Sequence, residues 1–166
     1  KVAHRIRPFA QFLAYTGLRK GEAYALEWSD IDMSANTISV TKSYDARTKA
    51  TTQPKTPSST RTVPLFDDAR AALEGLKKTN KAVFADCRTV NTNRDLPRAC
   101  LACGMLLTPH SFRHFFTSLC YTNGVDPLVI QAWVGHADIT TTTGTYTHIT
   151  PTYTAEQARK MAKKTE

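Results

Sequence analysis

The segment TPHSFRHFFTSLCYTNGVDPLVIQAWVGH at residues 108–136 decides the fold of this chain, because it carries the signals of two complete helices in succession. Pro109 suits the first turn of a helix, where a missing N–H has no hydrogen bond to lose, and that helix should continue to about residue 121. Asn123 with the glycine after it favours a helix end. Pro127 starts the next helix, which ends at Gly135. We therefore predict two consecutive helices joined by a short turn.

Outside that segment, the pattern predicts further helices and a small sheet. β-Branched residues alternate along residues 36–43, which is typical of a strand, and residues 61–65 form a second short strand that pairs back on the first. Residues 45–60 are rich in Lys, Thr, Ser and Pro, so we expect an exposed, mobile connection there. Apolar residues at helical spacing predict helices at residues 6–15, 20–26, 67–76, 90–103 and 155–164, with a short one around Tyr146. The expected fold class is mainly α with a small antiparallel β-sheet (α+β), in a single domain over residues 1–166 with a tail helix in residues 151–166.

Composition and charge narrow the classes of protein to which this chain can belong. Its 166 residues suit one domain, and 41% apolar residues suffice for an ordinary core. The 22 Lys and Arg against 14 Asp and Glu give a net charge of +8, which favours a polyanionic partner. No apolar run approaches the ~18 residues of a membrane span, and the N-terminus lacks the pattern of a signal peptide. A cytoplasmic protein without a membrane partner is expected.

The cysteines give little indication of a metal or redox site. Cys100 and Cys103 form a single CxxC, with neither a second pair nor a histidine at zinc-finger spacing, and Cys87 and Cys120 stand apart from it. Reduced cysteines on a helix face are therefore favoured over a metal or redox site.

Six residues suit the chemistry of a phosphodiester, and they follow one another along the chain as Arg19, Lys55, His110, Arg113, His136 and Tyr146. Arginine, lysine and histidine donate hydrogen bonds to the non-bridging oxygens, which gain negative charge when the phosphorus is attacked. A tyrosine among them could act as the nucleophile. No cluster of carboxylates accompanies the set to hold Mg²⁺, so neither a metal nor another cofactor is expected. The predicted reaction is phosphoryl transfer on nucleic acid through a covalent tyrosine.

The segments that carry these residues resemble the sequence boxes of the tyrosine recombinases, the phage-integrase type of site-specific DNA recombinase. TGLRKGEAYALEWSDID at residues 16–32 resembles the first arginine box, and HSFRH at residues 110–114 with WVGHADITTTTGTYTH at residues 133–148 resembles the second and third. The resemblance covers roughly residues 8–150 and implies the catalytic-domain fold of that family. Because full-length members carry DNA-binding domains before the catalytic one, we expect this chain to be the catalytic domain alone.

The resemblance also implies a role for each residue of the boxes. Tyr146 is the nucleophile, and His110 is the candidate general base that takes its proton, because a phenol with a pKa near ~10 needs such help at neutral pH. Arg19 and Arg113 would bind the two non-bridging oxygens of the scissile phosphate, which suits the planar fork of a guanidinium. His136 would donate a further hydrogen bond to a phosphate oxygen.

Two assignments leave alternatives open. The family places a lysine on the β-hairpin as the general acid that protonates the departing 5′ oxygen; Lys55 fits that context better than its competitors Lys49 and Lys42. Glu22, three residues after the first arginine, would fix that arginine rather than touch the phosphate. The alternative for Glu22 is an ordinary solvent-exposed ion pair.

His114 and His148 are assigned no chemistry. His114 is adjacent to Arg113 and should therefore point elsewhere on the helix, so we interpret it as a core histidine or one that supports the site from behind. His148 matches the usual end of the third box.

The resemblance implies a site-specific DNA recombinase or integrase that cleaves and rejoins strands through a covalent 3′-phosphotyrosine. Its expected partners are double-stranded attachment-type DNA, a homotetramer on that DNA, and accessory DNA-bending or directionality factors. The amphipathic segment after Pro151 would pack on a neighbouring protomer or form the protomer's own final helix. The rivals are a type IB topoisomerase, a DNA-binding module that has lost catalysis, and a helix-turn-helix regulator, which would leave Arg19 and Lys55 without a role.

Overall fold

The computed structural model describes residues 2–53, 60–89, 91–102, 104, 107–135 and 151–162, and of residues 2–5, 151–153 and 162 the backbone alone. In that part of the chain the α-helices are α1 (Val2–Thr16), α2 (Lys20–Ala25), α3 (Asp67–Ala71), α4 (Thr92–Leu101), α5 (Pro109–Thr122), α6 (Pro127–Val134) and α7 (Pro151–Ala162). Single 3-10 turns occur at Trp28–Asp30 and Ala85–Thr89. The prediction of a mainly helical chain is confirmed.

The two helices of the 108–136 segment begin and end as predicted, because their caps depend on neighbouring residues only. The Thr108 hydroxyl accepts a hydrogen bond from a first-turn N–H (3.3 Å), and Pro109 is the first residue of α5. The Asp126 carboxylate accepts a hydrogen bond from a first-turn N–H of α6 (2.8 Å). Gly135 ends α6 in the left-handed conformation, at φ +64°.

The β-structure is antiparallel, as predicted, but within the described ranges it is divided between two sheets. Strands β1 (Ile31–Asp32), β2 (Thr37–Val40) and β5 (Arg61–Pro64) form one sheet in the order β1-β2-β5. Strands β3 (Ser43–Asp45) and β4 (Ala50–Thr52) form a separate hairpin. The second predicted strand does pair back on the first, with Ile38 opposite Val63. The strand predicted at residues 36–43 is confirmed only over Thr37–Val40, because the chain leaves the sheet after Val40.

The β3–β4 hairpin also corrects the prediction of an irregular connection over residues 45–60. The Asp45 carboxylate accepts a hydrogen bond from the Arg47 N–H (2.8 Å), and this turn directs β4 back along β3. All three residues of β4 are exposed. A strand without a buried face has no alternation of apolar and polar residues, so the pattern gave no signal for it. Residues 54–59 of the predicted connection lie outside the described residues.

Other helix boundaries also differ from the predictions. Helix α1 begins at Val2, not at residue 6. Helix α3 ends at Ala71 and is followed by a turn in which Gly75 has φ +79°, so the predicted helix at residues 67–76 is too long. Helix α7 begins at Pro151, not at residue 155, because proline is tolerated in the first turn.

The core lies between α1, α5, α6 and the three-stranded sheet. Helix α1 contributes Phe9 and Phe12, α5 contributes Phe116 and α6 contributes Trp133, all almost inaccessible to solvent. The rings of Phe116 and Trp133 lie 6.5 Å apart between centroids. This aromatic packing holds the N-terminal half of α5 and the C-terminal end of α6 close to the start of α2, where the candidate site is found.

Helix α7 packs on its own chain in this structure. The Asp126 N–H donates to Oε1 of the buried Gln157 (3.2 Å), and the Lys160 ammonium donates to the carbonyl of Gly124 (3.1 Å). These two hydrogen bonds join α7 to the turn between α5 and α6 of the same chain.

Three of the four cysteines lie in the described part of the chain. Cys87, Cys100 and Cys120 are buried, and burial raises the pKa of the Cys120 thiol to about 12, while Cys103 lies outside the described residues. Among the described side chains, no three of the His, Cys, Asp and Glu residues are grouped so that they could hold a metal ion. No helix in the described ranges combines the length and apolar character needed to cross a membrane.

Candidate active site

The structure describes four of the seven residues that we predicted for the site, and three of those four lie together. Arg19, Glu22 and Arg113 form one connected cluster, whereas His110 is at the exposed start of α5. Lys55, His136 and Tyr146 lie outside the described residues, so their roles stay predictions.

Arg19 is the residue immediately before α2 and has an extended backbone, with ψ 149°. The helix was predicted to begin at residue 20, and this cap position directly before it brings Arg19 to Glu22. Its backbone N–H donates to Glu22 Oε2 (2.7 Å) and its Nη1 to Oε1 (3.1 Å). Its Nη2 donates to the carbonyl of Gly135 (2.7 Å). The side chain is 44% exposed, so it faces solvent at the edge of the cluster.

Arg113 lies behind Arg19 and is only 3% exposed. Its Nη1 donates to the carbonyl of Gly17 (2.8 Å) and its Nη2 to the carbonyl of Val134. Burial, assisted by the nearby charges of Arg19 and Arg61 and opposed by Glu22, lowers the pKa of Arg113 to about 10. Because burial and the neighbouring arginines disfavour the positive charge of Arg113, an approaching anion would stabilise that charge.

Glu22 is buried at 6% exposure, so the alternative of an ordinary solvent-exposed ion pair is wrong. Besides the two hydrogen bonds from Arg19, its carboxylate accepts a parallel pair from Arg61, at 2.9 Å to Oε1 and 2.8 Å to Oε2. These hydrogen bonds, from groups in the described part of the chain, give each of the two carboxylate oxygens two donors. Such saturation is the condition under which a buried charge is tolerated.

Arg61 was not predicted as a site residue, although one signal in the sequence could have identified it. It lies opposite Val40 in the register of β2 and β5, two residues before the buried Val63. Residues two apart on a strand share a face, so the alternation places Arg61 on the buried side of the sheet. An arginine on a buried face requires a carboxylate or carbonyl partner, and Glu22 was the candidate.

The carbonyls at the end of α6 bring the three arginines together. Arg61 Nε donates to Trp133 O (2.6 Å), Arg113 to Val134 O and Arg19 to Gly135 O. A helix C-terminus leaves such carbonyls without partners inside the helix and carries partial negative charge. Among the described residues at this place, the three guanidiniums and the carboxylate of Glu22 leave two positive charges in excess. The cluster thus suits an anion, and the next residue along the chain is His136.

His110 and His114 form a pair on the surface of α5. Their rings are perpendicular, with centroids 4.6 Å apart, as side chains one helical turn apart can be. Both residues are exposed, so the interpretation of His114 as a core histidine is wrong. His110 is exposed while Arg113, three residues later, is buried, so the two side chains occupy adjoining parts of the helix surface.

The lysines that competed with Lys55 are placed elsewhere. The Lys42 ammonium lies 2.9 Å from Glu27 Oε2 and 3.0 Å from Asp30 Oδ2, so two carboxylates hold it. Lys49 is exposed in the turn of the β3–β4 hairpin, with φ +54°. The assignment of the general acid to Lys55 stays a prediction.

We expect Glu22 to make the fold sensitive to acid. Burial alone would raise the pKa of its carboxyl, but the hydrogen bonds and charges of Arg61 and Arg19 outweigh burial and hold the pKa below its usual value. A pKa that is lower in the folded chain gives stability that is present above about pH 4.3, the unfolded value, and is lost as the pH falls through the folded value. Urea unfolding between pH 7 and pH 3 should therefore show a shallower loss of stability for Glu22→Gln than for the wild type. The control is Glu74→Gln at an exposed glutamate, and equal slopes for the wild type and Glu22→Gln would contradict the expectation.

Comparisons with known proteins support one family. The model of the phage integrase family matches residues 1–152. The ICEBs1 integrase of Bacillus subtilis (strain 168) is 32% identical, over 88% of this chain and 45% of the integrase. The tyrosine recombinase XerD of Oceanobacillus iheyensis is 30% identical, over 90% of this chain and 52% of XerD. The chain thus spans about half the length of these relatives.

Solved structures share the fold. The Tn1549 transposon integrase in complex with transposon right-end DNA matches with a TM-score of 0.70 at 24% identity, over 96% of this chain and 60% of that one. The XerA recombinase matches with a TM-score of 0.65 at 26% identity, over 95% and 59%. Together with the family model and the arginine cluster, these matches lead to one conclusion: the chain belongs to the phage integrase family of tyrosine recombinases, and its fold is that of their catalytic domain.

Proposed function

We propose that this chain is the catalytic domain of a longer site-specific DNA recombinase, in which Tyr146 is the nucleophile. Tyr146 attacks the scissile phosphate, the phosphorus–oxygen bond to the 5′ oxygen breaks, and a 3′-phosphotyrosine forms. A 5′-hydroxyl of the partner strand then attacks this linkage and releases the tyrosine. Because the phosphotyrosine keeps the energy of the broken bond, the exchange requires no ATP.

The observation that carries the proposal is the group of three arginines around the end of α6, at the first residues of the box that holds His136 and Tyr146. Arg19, on the exposed side of the group, would meet a non-bridging oxygen first, and Arg113 would neutralise the charge that develops behind it. We assign His136 to a phosphate oxygen, and Lys55 to the departing 5′ oxygen as general acid.

We assign the removal of the tyrosine proton to His110. Its exposed position at the first turn of α5 leaves the ring accessible, and His114 packs against it. Glu22 has a different task, because its carboxylate is occupied by arginines and is buried; it holds Arg19 and does not meet the DNA.

Double-stranded DNA is the partner that charge and relationship favour. The net charge of +8 attracts a polyanion, and a structural relative is an integrase in complex with the end of its transposon. Recombination of two duplexes requires four active tyrosines, so we propose a homotetramer on the DNA.

Trapping the covalent intermediate tests the proposal. The full-length protein is incubated with a nicked duplex from the ends of the element that encodes it, built so that cleavage releases the short 5′-hydroxyl fragment. We expect a DNA-bearing protein band on a denaturing gel, lost in Tyr146→Phe and kept in Tyr121→Phe, which changes an exposed tyrosine of α5.

Three results would contradict this proposal. An adduct that persists in Tyr146→Phe would assign the nucleophile to another residue. No adduct from protein that binds the same DNA in a gel-shift assay would favour a binding module without catalysis. Relaxation of supercoiled plasmid by the monomer would support the topoisomerase rival instead.

A further inference from the structure

Arg61 connects three parts of the candidate site although it is buried away from solvent. Its side chain is 6% exposed, so it does not present its guanidinium to DNA. Nη1 and Nη2 donate to the two oxygens of Glu22, and Nε donates to the carbonyl of Trp133 at the end of α6. One side chain on β5 therefore joins α2 to α6.

The parallel pair of hydrogen bonds sets the plane of the Glu22 carboxylate. Each carboxylate oxygen receives one hydrogen bond from Arg61 and one from Arg19. The positions of the two oxygens determine where Arg19 can form its hydrogen bonds. The orientation of Arg61 therefore determines, through the Glu22 carboxylate, the orientation of Arg19. A planar guanidinium donates one hydrogen bond to each oxygen from two separate nitrogens in a fixed geometry, which the single nitrogen of a lysine ammonium does not reproduce.

The turn before His136 is built around the same side chain. A Cβ added to Gly135 would lie 3.2 Å from Cδ, Nε and Nη1 of Arg61, which is closer than most such contacts. Gly135 also has φ +64°, where other residues are strained. The glycine thus allows Arg61 to pass beside the backbone whose carbonyls also bind Arg19 and Arg113.

We propose that Arg61 is a positioning residue for strand cleavage: through Glu22 it orients Arg19, while its hydrogen bond to Trp133 O fixes the Arg61 side chain itself. The inference rests on the proposed function and adds a residue that the sequence boxes do not contain. Arg61 acts on the chemical step and not on DNA affinity, because it touches no exposed surface.

The test compares Arg61→Lys in two backgrounds, using the full-length protein and the nicked duplex described above. In the wild-type background, we expect the single-turnover rate of adduct formation to fall about 10–100-fold, because small misplacements of a catalytic group have effects of this order. The Kd for DNA should change less than about twofold, since no phosphate contact is lost. In an Arg19→Ala background, Arg61→Lys should lower the rate by a further factor of less than about three, because the arginine that Arg61 orients is already absent.

Arg70→Lys is the matched control. Arg70 donates to the carbonyl of Met33 and to Asn36, so it anchors the β1–β2 turn and touches no residue of the arginine cluster in the described part of the chain. We expect it to leave the rate of adduct formation unchanged. If thermal melting shows that Arg61→Lys is unfolded, Arg61→Gln is measured in the same two backgrounds.

The outcomes separate this inference from the function on which it rests. A wild-type cleavage rate in Arg61→Lys, or the same fold loss in both backgrounds, overturns the inference and leaves the proposed function intact. Absence of an adduct from the wild-type protein overturns both. A loss in the wild-type background alone, with DNA affinity kept, supports the positioning role.

Discussion

Replacing Arg113 by methionine is expected to lower the rate of covalent adduct formation by about 10²–10³-fold while changing the free energy of unfolding by no more than about 3 kcal/mol. A loss of this size is typical when an enzyme loses a hydrogen-bond donor to an oxygen that becomes negatively charged in the transition state. The small change in stability follows from two opposing effects. The lowered pKa of Arg113 means that folding disfavours its charge by about 3 kcal/mol, which methionine relieves. Against this, the carbonyls of Gly17 and Val134 lose their hydrogen bonds, at about 1–3 kcal/mol each.

Single-turnover cleavage and urea unfolding, measured on the same preparations, decide this prediction. Arg70→Met serves as the control, because it removes an arginine that also donates to a backbone carbonyl but lies on α3. It should lower stability and leave the cleavage rate as in the wild type. The prediction for Arg113 is wrong if its methionine variant cleaves within about tenfold of the wild-type rate, since the guanidinium would then not act on the phosphate.

Replacing Gly17 by alanine is expected to lower the free energy of unfolding by about 2–4 kcal/mol. Gly17 has φ +64°, a conformation that costs an L-residue about 1–2 kcal/mol. The added Cβ would lie 2.5 Å from Cδ1 of Phe116, which is fully buried and cannot move without disturbing the core. Overpacking of this kind costs about 1–3 kcal/mol. Because the Gly17 carbonyl accepts from Arg113, the cleavage rate should fall as well.

Gly75→Ala separates strain of the backbone from overpacking. Gly75 has φ +79°, but an added Cβ would meet no atom within 4 Å. We therefore expect a loss of only about 1–2 kcal/mol, due to the backbone alone. Equal losses for the two alanine variants in urea unfolding would show that contact with Phe116 does not contribute, contrary to our expectation.

Gly17 and Arg113 belong to one set of contacts at the end of α6. The first box, through Gly17 and Arg19, and the second box, through Arg113, meet at the carbonyls of Val134 and Gly135, which are among the first residues of the third box. Stability and chemistry are therefore coupled at this place: a change that moves α5 against α1 also moves Arg113. Arg19, which is the more exposed of the two arginines, should tolerate substitution with less effect on folding.

Local features were predictable because their physical causes lie within a few residues. The proline at the start of α5 and the glycine at the end of α6 determine those boundaries through φ and missing N–H groups alone. The pairing of residues 61–65 with the first strand followed from β-branched alternation. The spacing of Arg19 and Glu22 indicated their contact, which needs three residues of chain and no tertiary structure.

Other features depended on contacts between distant parts of the chain. The exposed β3–β4 hairpin has no buried face to produce a pattern, and the exposure of His114 depends on what packs against α5. The burial of Glu22 requires Arg61, 39 residues away, and the hydrogen bond from Arg19 to Gly135 spans 116 residues. The sequence by itself thus determined the family, the main helices and the types of residue at the site. Only the tertiary structure decided that three arginines share one helix end, because desolvation and charge act through space and leave no periodic pattern along the chain.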